Sequence, residues 1–468
     1  MPRGNIFNHM LHGIVRGDIN VMREGYAARP LNFASGCGKC FGIAFKHDNA
    51  CTFRCHFMLE YIIIFIRHLA VRRGEAMKID AVDFFYLSMP EVTTEADGSQ
   101  DALLVRVRSG GFEGWGECEA SPLVSIAAYV CPMSHGVCRP VSASVLGQTL
   151  EGPKDIARVA ALVEYNSMDL LQAAHTFSGI EMALWDVLGK ARGEPVWKLL
   201  GYKKAYPKIP YASQLFGDTP RQTLEAARKA RSNGFRAVKF GWGPFGRSTV
   251  KADNDQLAAA REGLGKDGIL LIDAGQIFRT DEKAASKRLP GMKKAGVTWF
   301  EEPFHSGAYG AYAALARKSG TIKVAGGEAA HNVSMAQHLI EYGKVGFIQI
   351  DCGRIGGIGP AKQVAAFAVK HGVTYVNHTF TSHLALSASL QPYAGLAKHT
   401  ICEYPFAPKP VVLAYTHNYL KPDPKGHINV PDAPGLGIDI NTTGIKRYLV
   451  ETEIRVKGVL IYATPALQ

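Results

Sequence analysis

The chain has 468 residues, 47% hydrophobic and 20% charged, which suits a globular protein with one large core or two. No apolar run reaches the roughly 18 residues that a membrane span requires, and the first residues lack the apolar stretch of a cleavable signal peptide. We therefore expect a cytoplasmic protein with no membrane partner. The net charge of +12 is not arranged as a basic stripe interleaved with aromatic residues, so we expect no nucleic-acid partner either.

Residues 1–76 do not share the patterns of the remaining chain. They contain Cys37, Cys40, Cys51 and Cys55, spaced C-x2-C-x10-C-x3-C, and four thiolates can close a tetrahedral zinc site. The flanking residues show no strand pattern, however, and a regular alternating strand begins only after them. We interpret the segment as an extension outside the functional fold, for example from a misassigned start site. A zinc-binding knuckle and a genuine extension remain alternatives.

Residues 77–205 have the pattern of a small α+β domain. Alternating apolar and polar residues predict three antiparallel strands, and helical periodicity predicts two helices behind them. The strands are expected at residues 78–87, 102–108 and 112–118, and the helices at residues 152–164 and 178–190. Two polar or glycine-containing loops, 88–100 and 119–137, adjoin strand ends and are placed to cover a pocket.

Residues 206–405 alternate between strand and helix patterns, which indicates an α/β fold. The strands are short, apolar and β-branched, as strands covered on both faces are. They are expected at residues 209–216, 237–241, 269–273, 297–303, 323–328, 347–351, 373–378 and 400–404. This succession predicts a TIM-type (β/α) barrel. The alternation then stops, and the turn-rich segment 406–468 is expected to fold back onto the N-terminal domain.

Acidic residues end three successive strands of the predicted barrel. They are Asp273, Glu301 and Glu328. The ends of barrel strands converge at one mouth, where three like charges repel one another unless a cation lies among them. Oxygen ligands suit a hard cation, above all Mg²⁺. Each carboxylate alone could cap a helix, but three in succession predict a Mg²⁺ site.

Further strand ends carry groups suited to acid–base chemistry. Asp351 and His378 end neighbouring strands, and a carboxylate beside an imidazole raises its basicity, which predicts a general base. Lys239 could hold a substrate carboxylate or act as a base, and Glu403, if protonated, would donate a hydrogen bond to a developing oxyanion. Together with a cation, these groups fit removal of a proton α to a carboxylate, because they stabilise the charge that develops there.

Short motifs then occur in a recognisable order. They are GWGE at residues 114–117, ALWD at 183–186, FEEP at 300–303, GGE at 326–328, the run DCGRIGG at 351–357, and the 27-residue interval from Asp351 to His378. In this order they resemble the enolase superfamily, and within it the mandelate racemase subgroup, from Met77 onward. The resemblance implies a modified (β/α)7β TIM-type barrel under an α+β capping domain formed by the N- and C-terminal segments.

The same resemblance implies roles for individual residues and a partner. It makes Asp273, Glu301 and Glu328 the Mg²⁺ ligands, the Asp351–His378 pair the base, Lys239 a contact of the substrate carboxylate and Glu403 the acid near that carboxylate. It also implies a small-molecule carboxylate as substrate and an even-numbered homo-oligomer.

Two departures from the family pattern bear on the reaction. The family often has K-x-K on the second strand, the second lysine being a base opposite the histidine, whereas this chain reads Lys239-Phe240-Gly241. Its usual asparagine two residues after the metal-binding aspartate is Gly275 here, which puts the substrate contacts there in doubt. Racemisation needs acid–base groups on both faces, so a single base favours β-elimination of water.

We therefore expect a Mg²⁺-dependent dehydratase of a sugar acid, an aldonate or an aldarate, that forms a 2-keto-3-deoxy acid. A racemase, an epimerase or a lactone cycloisomerase on the same scaffold is the alternative, and it would need a second acid–base group. A non-catalytic metal-binding relative is the second alternative. The sequence does not distinguish one sugar acid from another.

Overall fold

The structure, a computed structural model, describes residues 76–94 and 100–467. Apart from Ala76, the predicted extension and its four-cysteine pattern lie outside the described residues. Among the residues that are described, no helix is both long and apolar enough to cross a bilayer.

A three-stranded antiparallel sheet and five helices form the first part of the fold. The strands are β1 (Ile79–Leu87), β2 (Ala102–Ser109) and β3 (Phe112–Cys118), and the helices are α1 (Pro122–Val130), α2 (Ser142–Val145), α3 (Pro153–Asn166), α4 (Ala173–Arg192) and α5 (Val196–Leu199). Gly114 and Gly116 let α4 lie directly on β3, because a Cβ at these positions would stand 2.3 Å and 2.0 Å from backbone oxygens of α4. Strand alternation turns the intervening Trp115 and the following Glu117 to the other face.

Helix α1 lies where the sequence predicts only a loop. Pro122 occupies the first turn of this helix, where its missing N–H has no partner to lose. Ile126 and Tyr129 are buried, whereas Leu123 and Val124 are about half exposed. The helix is short and carries exposed apolar residues, so its periodicity is weak in the sequence, and the prediction of a loop over residues 119–137 was wrong for this part.

Eight parallel strands form the second sheet and confirm the predicted barrel. They are β4 (Ile209–Leu215), β5 (Ala237–Gly241), β6 (Ile269–Asp273), β7 (Val297–Glu301), β8 (Lys323–Gly326), β9 (Phe347–Ile350), β10 (Thr374–Asn377) and β11 (Ile401–Tyr404). From β4 to β10 each strand pairs with the next along the chain, and β11 returns to pair with β4. The chain therefore winds once round a ring, as a (β/α)7β barrel requires.

Helices connect the barrel strands. They are α6 (Pro220–Ser232), α7 (Val250–Leu264), α8 (Glu282–Ser286), α9 (Leu289–Ala295), α10 (Tyr309–Lys318), α11 (Val333–Glu341), α12 (Ile358–Lys370) and α13 (His383–Leu390), followed by a 3₁₀ turn at Gln391–Tyr393. The sequence predicts a single helix over residues 281–294, but this stretch forms α8 and α9. Pro290 explains the break, because it offers no amide hydrogen to the preceding turn and fits only the start of a new helix.

The ring closes through a side chain where β10 and β11 meet. These two strands stand at the ends of the hydrogen-bonded strand order. The Asn377 side chain spans them: its Nδ2 donates to the Glu403 carbonyl at 3.2 Å, and its Oδ1 accepts from the Glu403 amide at 3.1 Å. Tyr393 Oη donates to the same Oδ1 at 2.8 Å. The amide thus replaces a backbone ladder and fixes the end of β10 beside that of β11.

A layer of packed side chains fills the barrel interior below its mouth. Its buried members are Tyr211, Ala237, Leu271, Trp299, Ala325, Val376 and Ile401. Residues two apart on a strand share a face, so the next inward position on β5, β6, β7 and β11 is Lys239, Asp273, Glu301 and Glu403. The strand period thus places a charged layer directly above an apolar one.

The C-terminal segment contacts the first sheet. It contains α14 (Pro410–Ala414), α15 (Thr442–Lys446) and the hairpin of β12 (Glu453–Val456) and β13 (Val459–Ala463). The Tyr462 hydroxyl donates to the Phe84 carbonyl at 2.8 Å, and the Val450 amide donates to the Tyr86 carbonyl at 2.8 Å. Both chain segments therefore contribute to the α+β cap, as the fold prediction states. The exact domain bounds at residues 77, 206 and 406 stay a prediction.

Candidate active site

All seven predicted site residues lie at the carboxyl ends of the barrel strands. Four lie on their strands and three follow a strand directly or within two residues: Lys239 (β5), Asp273 (β6), Glu301 (β7), Glu403 (β11), Glu328 (after β8), Asp351 (after β9) and His378 (after β10). All are buried except Glu328, whose side chain is 14% exposed. Charged groups this deeply buried require partners of opposite charge.

Lys239 lies at the centre of three carboxylates. Its Nζ is 2.8 Å from Glu301 Oε1, 3.3 Å from Glu403 Oε1 and 3.5 Å from Asp273 Oδ2. Burial disfavours the charged amine, but these carboxylates outweigh burial and hold the pKa of Lys239 well above its ordinary value. The lysine is therefore a fixed positive charge, which suits a carboxylate contact better than a base.

Glu301 is the most deeply buried of the acids. Its Oε2 accepts a hydrogen bond from Trp299 Nε1 at 3.1 Å, and its Oε1 faces Lys239. Burial raises the pKa of Glu301 well above its ordinary value, and although Lys239 opposes this, the charges of Asp273 and Glu328 add to it. The carboxylates at this mouth therefore lie close enough to repel one another, a repulsion that a bound cation would relieve.

His378 and Asp351 form the predicted pair. His378 Nδ1 lies 2.8 Å from Asp351 Oδ2, while Asp351 Oδ1 accepts from the Gly353 amide at 2.6 Å. The other ring nitrogen, Nε2, lies 3.1 Å from Glu328 Oε2. Burial lowers the pKa of His378, but Glu328, Glu403 and the Asp351 hydrogen bond outweigh it and hold this pKa well above the ordinary value. The imidazole is thus oriented through Nδ1 and strongly basic, with Nε2 directed at the acid cluster.

Glu403 accepts hydrogen bonds in this arrangement. Its Oε2 receives the Thr379 amide at 2.8 Å, and its Oε1 faces Lys239. Burial alone would raise the pKa of Glu403, but Lys239, His378 and that amide hold it below the ordinary value. Its predicted role as a hydrogen-bond donor to the substrate stays a prediction, since no neighbour here favours the protonated acid.

The cap reaches the barrel mouth through an arginine that the sequence analysis did not single out. Arg354, three residues after Asp351, contacts Glu328 Oε1 at 3.5 Å and Glu119 Oε1 at 3.1 Å. The Glu119 amide also donates to the Gly353 carbonyl at 3.2 Å. Glu119 follows β3, so this ion pair and hydrogen bond hold the end of the cap sheet against a predicted metal ligand.

The donor set suits a hard cation in its chemistry. Asp273, Glu301 and Glu328 end three consecutive strands and offer only carboxylate oxygens, the ligands that Mg²⁺ prefers. Within the part of the chain that the structure describes, however, no three His, Cys, Asp or Glu side chains are already placed as a set of metal ligands. Instead, the carboxylates contact Lys239 and His378.

Glu117 of the GWGE motif joins three distant segments beneath the cap. Its Oε2 accepts from the Ser382 hydroxyl, at the start of α13, and from the Tyr415 hydroxyl at 2.9 Å. The side chain is buried, and it also lines a small cavity with Asp351 and Thr381. Burial raises the pKa of Glu117 to about 7, with the charge of Asp351 adding to the shift. The sequence offered only the motif, because these contacts span hundreds of residues.

We expect protein stability to fall with rising pH because of Glu117. Its folded pKa of about 7 exceeds the ordinary 4.5, so the folded state binds this proton more tightly than the unfolded chain. The stabilisation is full below about pH 4.5 and is lost as pH rises through 7. Between pH 5 and 8, denaturant unfolding should show wild type losing about 2 kcal/mol relative to Glu117→Gln, from 1.4 kcal/mol per pKa unit.

Glu164→Gln, which changes an exposed acid on α3, is the matched control for the pH experiment and should track wild type at both pH values. A wild-type minus Glu117→Gln difference that stays constant between pH 5 and 8 would show that Glu117 titrates in its ordinary range.

The fold and the site define a capped (β/α)7β barrel with acids, a lysine and a histidine–aspartate pair at its mouth. The chain matches the enolase C-terminal domain-like family over residues 222–444 and the mandelate racemase/muconate lactonizing enzyme N-terminal domain over residues 87–201. It therefore belongs to the enolase superfamily, within the mandelate racemase/muconate lactonizing enzyme family.

Individual relatives differ in the reaction they catalyse. D-galactarolactone cycloisomerase of Agrobacterium fabrum is 31% identical over 357 residues, 72% of this chain and 88% of that protein. L-talarate/galactarate dehydratase of Salmonella typhimurium is 29% identical over 62% of this chain and 71% of that protein. The protein in the crystal structure of a predicted mandelate racemase from Rhodobacter sphaeroides is 66% identical in sequence to this chain. The two structures superpose with a TM-score of 0.82, and the match covers 84% of this chain and 100% of that one.

Proposed function

We propose that the protein is a Mg²⁺-dependent dehydratase of a sugar acid, an aldonate or an aldarate, that produces a 2-keto-3-deoxy acid. The observation that carries the proposal is the His378–Asp351 pair at the barrel mouth, together with a glycine in place of a second lysine at the end of β5. Gly241 occupies the place of a second lysine, and a Cβ there would stand 2.8 Å from Asp273 Cβ. A side chain at position 241 is thus incompatible with the present position of Asp273, which supports chemistry on one face.

Asp273, Glu301 and Glu328 are the residues that would hold Mg²⁺. When bound, this cation would polarise the substrate carboxylate and stabilise the negative charge that builds up on it. Lys239 adds a second, permanent positive charge at the same mouth, since its pKa lies well above the ordinary value. Glu403 Oε1 lies 3.3 Å from Lys239 Nζ and helps to orient this amine.

His378 carries the proton transfers in this proposal. Asp351 holds the ring through Nδ1, which leaves Nε2 to take the proton from the carbon α to the carboxylate. The C–H electron pair then forms the C=C bond, the β-carbon–oxygen bond breaks, and the protonated imidazole returns its proton to the departing hydroxyl as water. The enol that results gains a proton from solvent at the former β-carbon, loses its own hydroxyl proton to solvent and becomes the 2-keto-3-deoxy acid. A single base thus suffices for a complete cycle.

A cycloisomerase is the second candidate. It is favoured by the similarity to D-galactarolactone cycloisomerase, which extends over 88% of that protein. Dehydratases are also among the relatives, including the L-talarate/galactarate enzyme. A racemase or epimerase would need a proton donor on the face opposite His378. Retention of three strand-end carboxylates and the His378–Asp351 pair weighs against a non-catalytic relative.

The test is a panel of aldonates, aldarates and sugar-acid lactones incubated with the full chain and Mg²⁺ in deuterated water. We expect a 2-keto-3-deoxy acid with one deuterium at the former β-carbon, and a rate at background after chelation of Mg²⁺. Exchange or inversion at the α-carbon without loss of water would instead identify a racemase or epimerase. Ring opening of a lactone to an isomeric acid would identify a cycloisomerase, and either result would overturn the dehydratase proposal.

A further inference from the structure

Trp242 adopts a backbone conformation that bulky residues rarely take. It directly follows β5 and has a φ of +55°, in the left-handed region. Such a conformation is unfavourable for a large side chain and persists where the surrounding structure imposes it, often at a functional site. The turn that holds it is tight: the Phe245 amide donates to the Trp242 carbonyl at 3.4 Å, and Gly243 lies so close to Phe216 that a Cβ there would stand 2.9 Å from its carbonyl oxygen.

The indole of Trp242 occupies the space beside Gly275. A Cβ on Gly275 would lie 2.8 Å from both Cδ2 and Cε2 of the indole and 3.1 Å from Cζ2. No side chain fits at position 275 while the ring stays where it is. Gly275 is also the position at which the family pattern has an asparagine. Glycine at position 275 and the indole of Trp242 thus depend on each other, because the ring fills the space that an asparagine side chain would need.

This arrangement lies in the mouth of the barrel, opposite the base. Gly275 is two residues beyond Asp273, and its amide donates to Asp273 Oδ1 at 2.8 Å. Strand β6, which carries Asp273, is four places from β10 in the ring of eight strands, and β10 leads into His378. Trp242 and Gly275, which follow β5 and β6, therefore lie on the side of the ring opposite the strand that leads into His378.

We propose that Trp242 is a specificity-determining residue whose indole packs against the carbon chain of the substrate on the face away from His378. This inference rests on the proposed dehydratase function. An asparagine at this wall would bind a substrate hydroxyl, whereas an aromatic ring offers an apolar surface and leaves a hydroxyl without a partner. The chemical class selected is a sugar acid that turns C–H groups, rather than hydroxyls, toward this wall. The ring also excludes water, and with it proton donors from solvent, from the substrate face away from His378.

Four variants test the proposal on the acid that wild type turns over best. Trp242→Ala should raise KM about tenfold, the scale of losing an apolar contact, with a smaller change in kcat, and Trp242→Phe should stay within about threefold of wild type. Gly275→Asn should lower kcat/KM at least about tenfold, because its side chain meets the indole; asparagine tolerates the left-handed φ of +50°, so backbone strain is not the cause.

The double variant Trp242→Ala/Gly275→Asn is the decisive member of the series. We expect it to exceed Gly275→Asn alone in kcat/KM and to move preference toward acids of opposite configuration at the affected hydroxyl. A merely structural tryptophan would also allow recovery, because removing the indole relieves the clash with the asparagine introduced at position 275, but it would leave the preference among acids unchanged. An unchanged preference in the double variant, or a KM unchanged in Trp242→Ala, would overturn the proposal. Trp197→Phe, a buried ring on α5, is the matched control and should behave as wild type.

A binding measurement separates this inference from the proposed function. With five tryptophans in the chain, sugar-acid binding should change the fluorescence of wild type and of Trp197→Phe, and the change should shrink in Trp242→Phe. If no acid is dehydrated but this fluorescence difference is present, the dehydratase proposal fails and the indole wall stands. If the same fluorescence change persists in Trp242→Phe, or no acid produces one in wild type, the indole wall is overturned.

Discussion

Replacing His378 by asparagine should lower kcat by about 1,000-fold or more, the upper range for losing a general base. Asparagine is close to the imidazole in size, and its side-chain amide can still donate to the Asp351 carboxylate, so the pocket keeps its shape. It cannot take a proton from a carbon acid. The loss should appear in kcat, with KM changed little, because the imidazole acts on the proton rather than on binding. Steady-state assays with Mg²⁺ on the best acid from the panel measure both constants.

Transfer of the α-proton into the water product gives a second readout on the same variant. An acid labelled with deuterium at its α-carbon should pass the label to solvent during turnover by wild type and keep it in His378→Asn, since transfer and turnover depend on removal of the same proton. His371→Asn is a matched control: this histidine follows α12, lies 3.8 Å from Glu341 and is 30% exposed at its side chain. It should keep wild-type constants. Turnover that persisted in His378→Asn would assign the base to another residue and remove the foundation of the mechanism proposed above.

The strand-end residues could be predicted from the sequence because the barrel strands have a recognisable pattern. Short apolar runs at regular intervals predict parallel strands, and the period of two then sets the residue above each buried one, as Trp299 sets Glu301. Glu328 is the exception, lying three residues beyond the buried Ala325. Gly327, with a φ of +126°, interrupts the alternation and turns Glu328 into the mouth. Glu328 was therefore predicted because it is an acidic residue just past a strand end, and not from the two-residue period of the strand.

Contacts between the cap and the barrel could not be predicted in the same way. Glu119 and Arg354 are 235 residues apart, and Glu117 reaches Tyr415 across 298 residues. Local periodicity carries no information about such distant pairs. Each of these polar residues, taken alone, is a type that is common on protein surfaces. Likewise, Gly241 and Gly275 depart from the family pattern in sequence, where a lysine and an asparagine are usual. Only the structure shows which atoms occupy the space of those side chains, namely Asp273 beside Gly241 and the Trp242 indole beside Gly275.

Alanine at position 241 should lower kcat/KM by about 100-fold, the scale of displacing a catalytic group by about 1 Å. Gly241 ends β5, and a Cβ there would stand 2.8 Å from Asp273 Cβ, 3.1 Å from its Cγ and 3.2 Å from its Oδ2. Gly241 does not occupy the left-handed region, so alanine brings no backbone strain and its whole effect falls on Asp273. Because Asp273 is a proposed ligand, the concentration of Mg²⁺ that gives half-maximal rate should rise as well, which titration of activity and calorimetry of Mg²⁺ binding both measure.

Gly310→Ala is the matched control, since Gly310 lies on α10 with nothing within 4 Å of an added Cβ. It should leave activity and Mg²⁺ affinity unchanged and keep the same unfolding midpoint, whereas Gly241→Ala should lose Mg²⁺ affinity while remaining folded. The glycine would then explain why this mouth holds one base: any larger residue, lysine included, would compete with Asp273 for the same space. If Gly241→Ala retained wild-type Mg²⁺ dependence, position 241 would have room for a second lysine, and the steric reason for preferring elimination over racemisation would be gone.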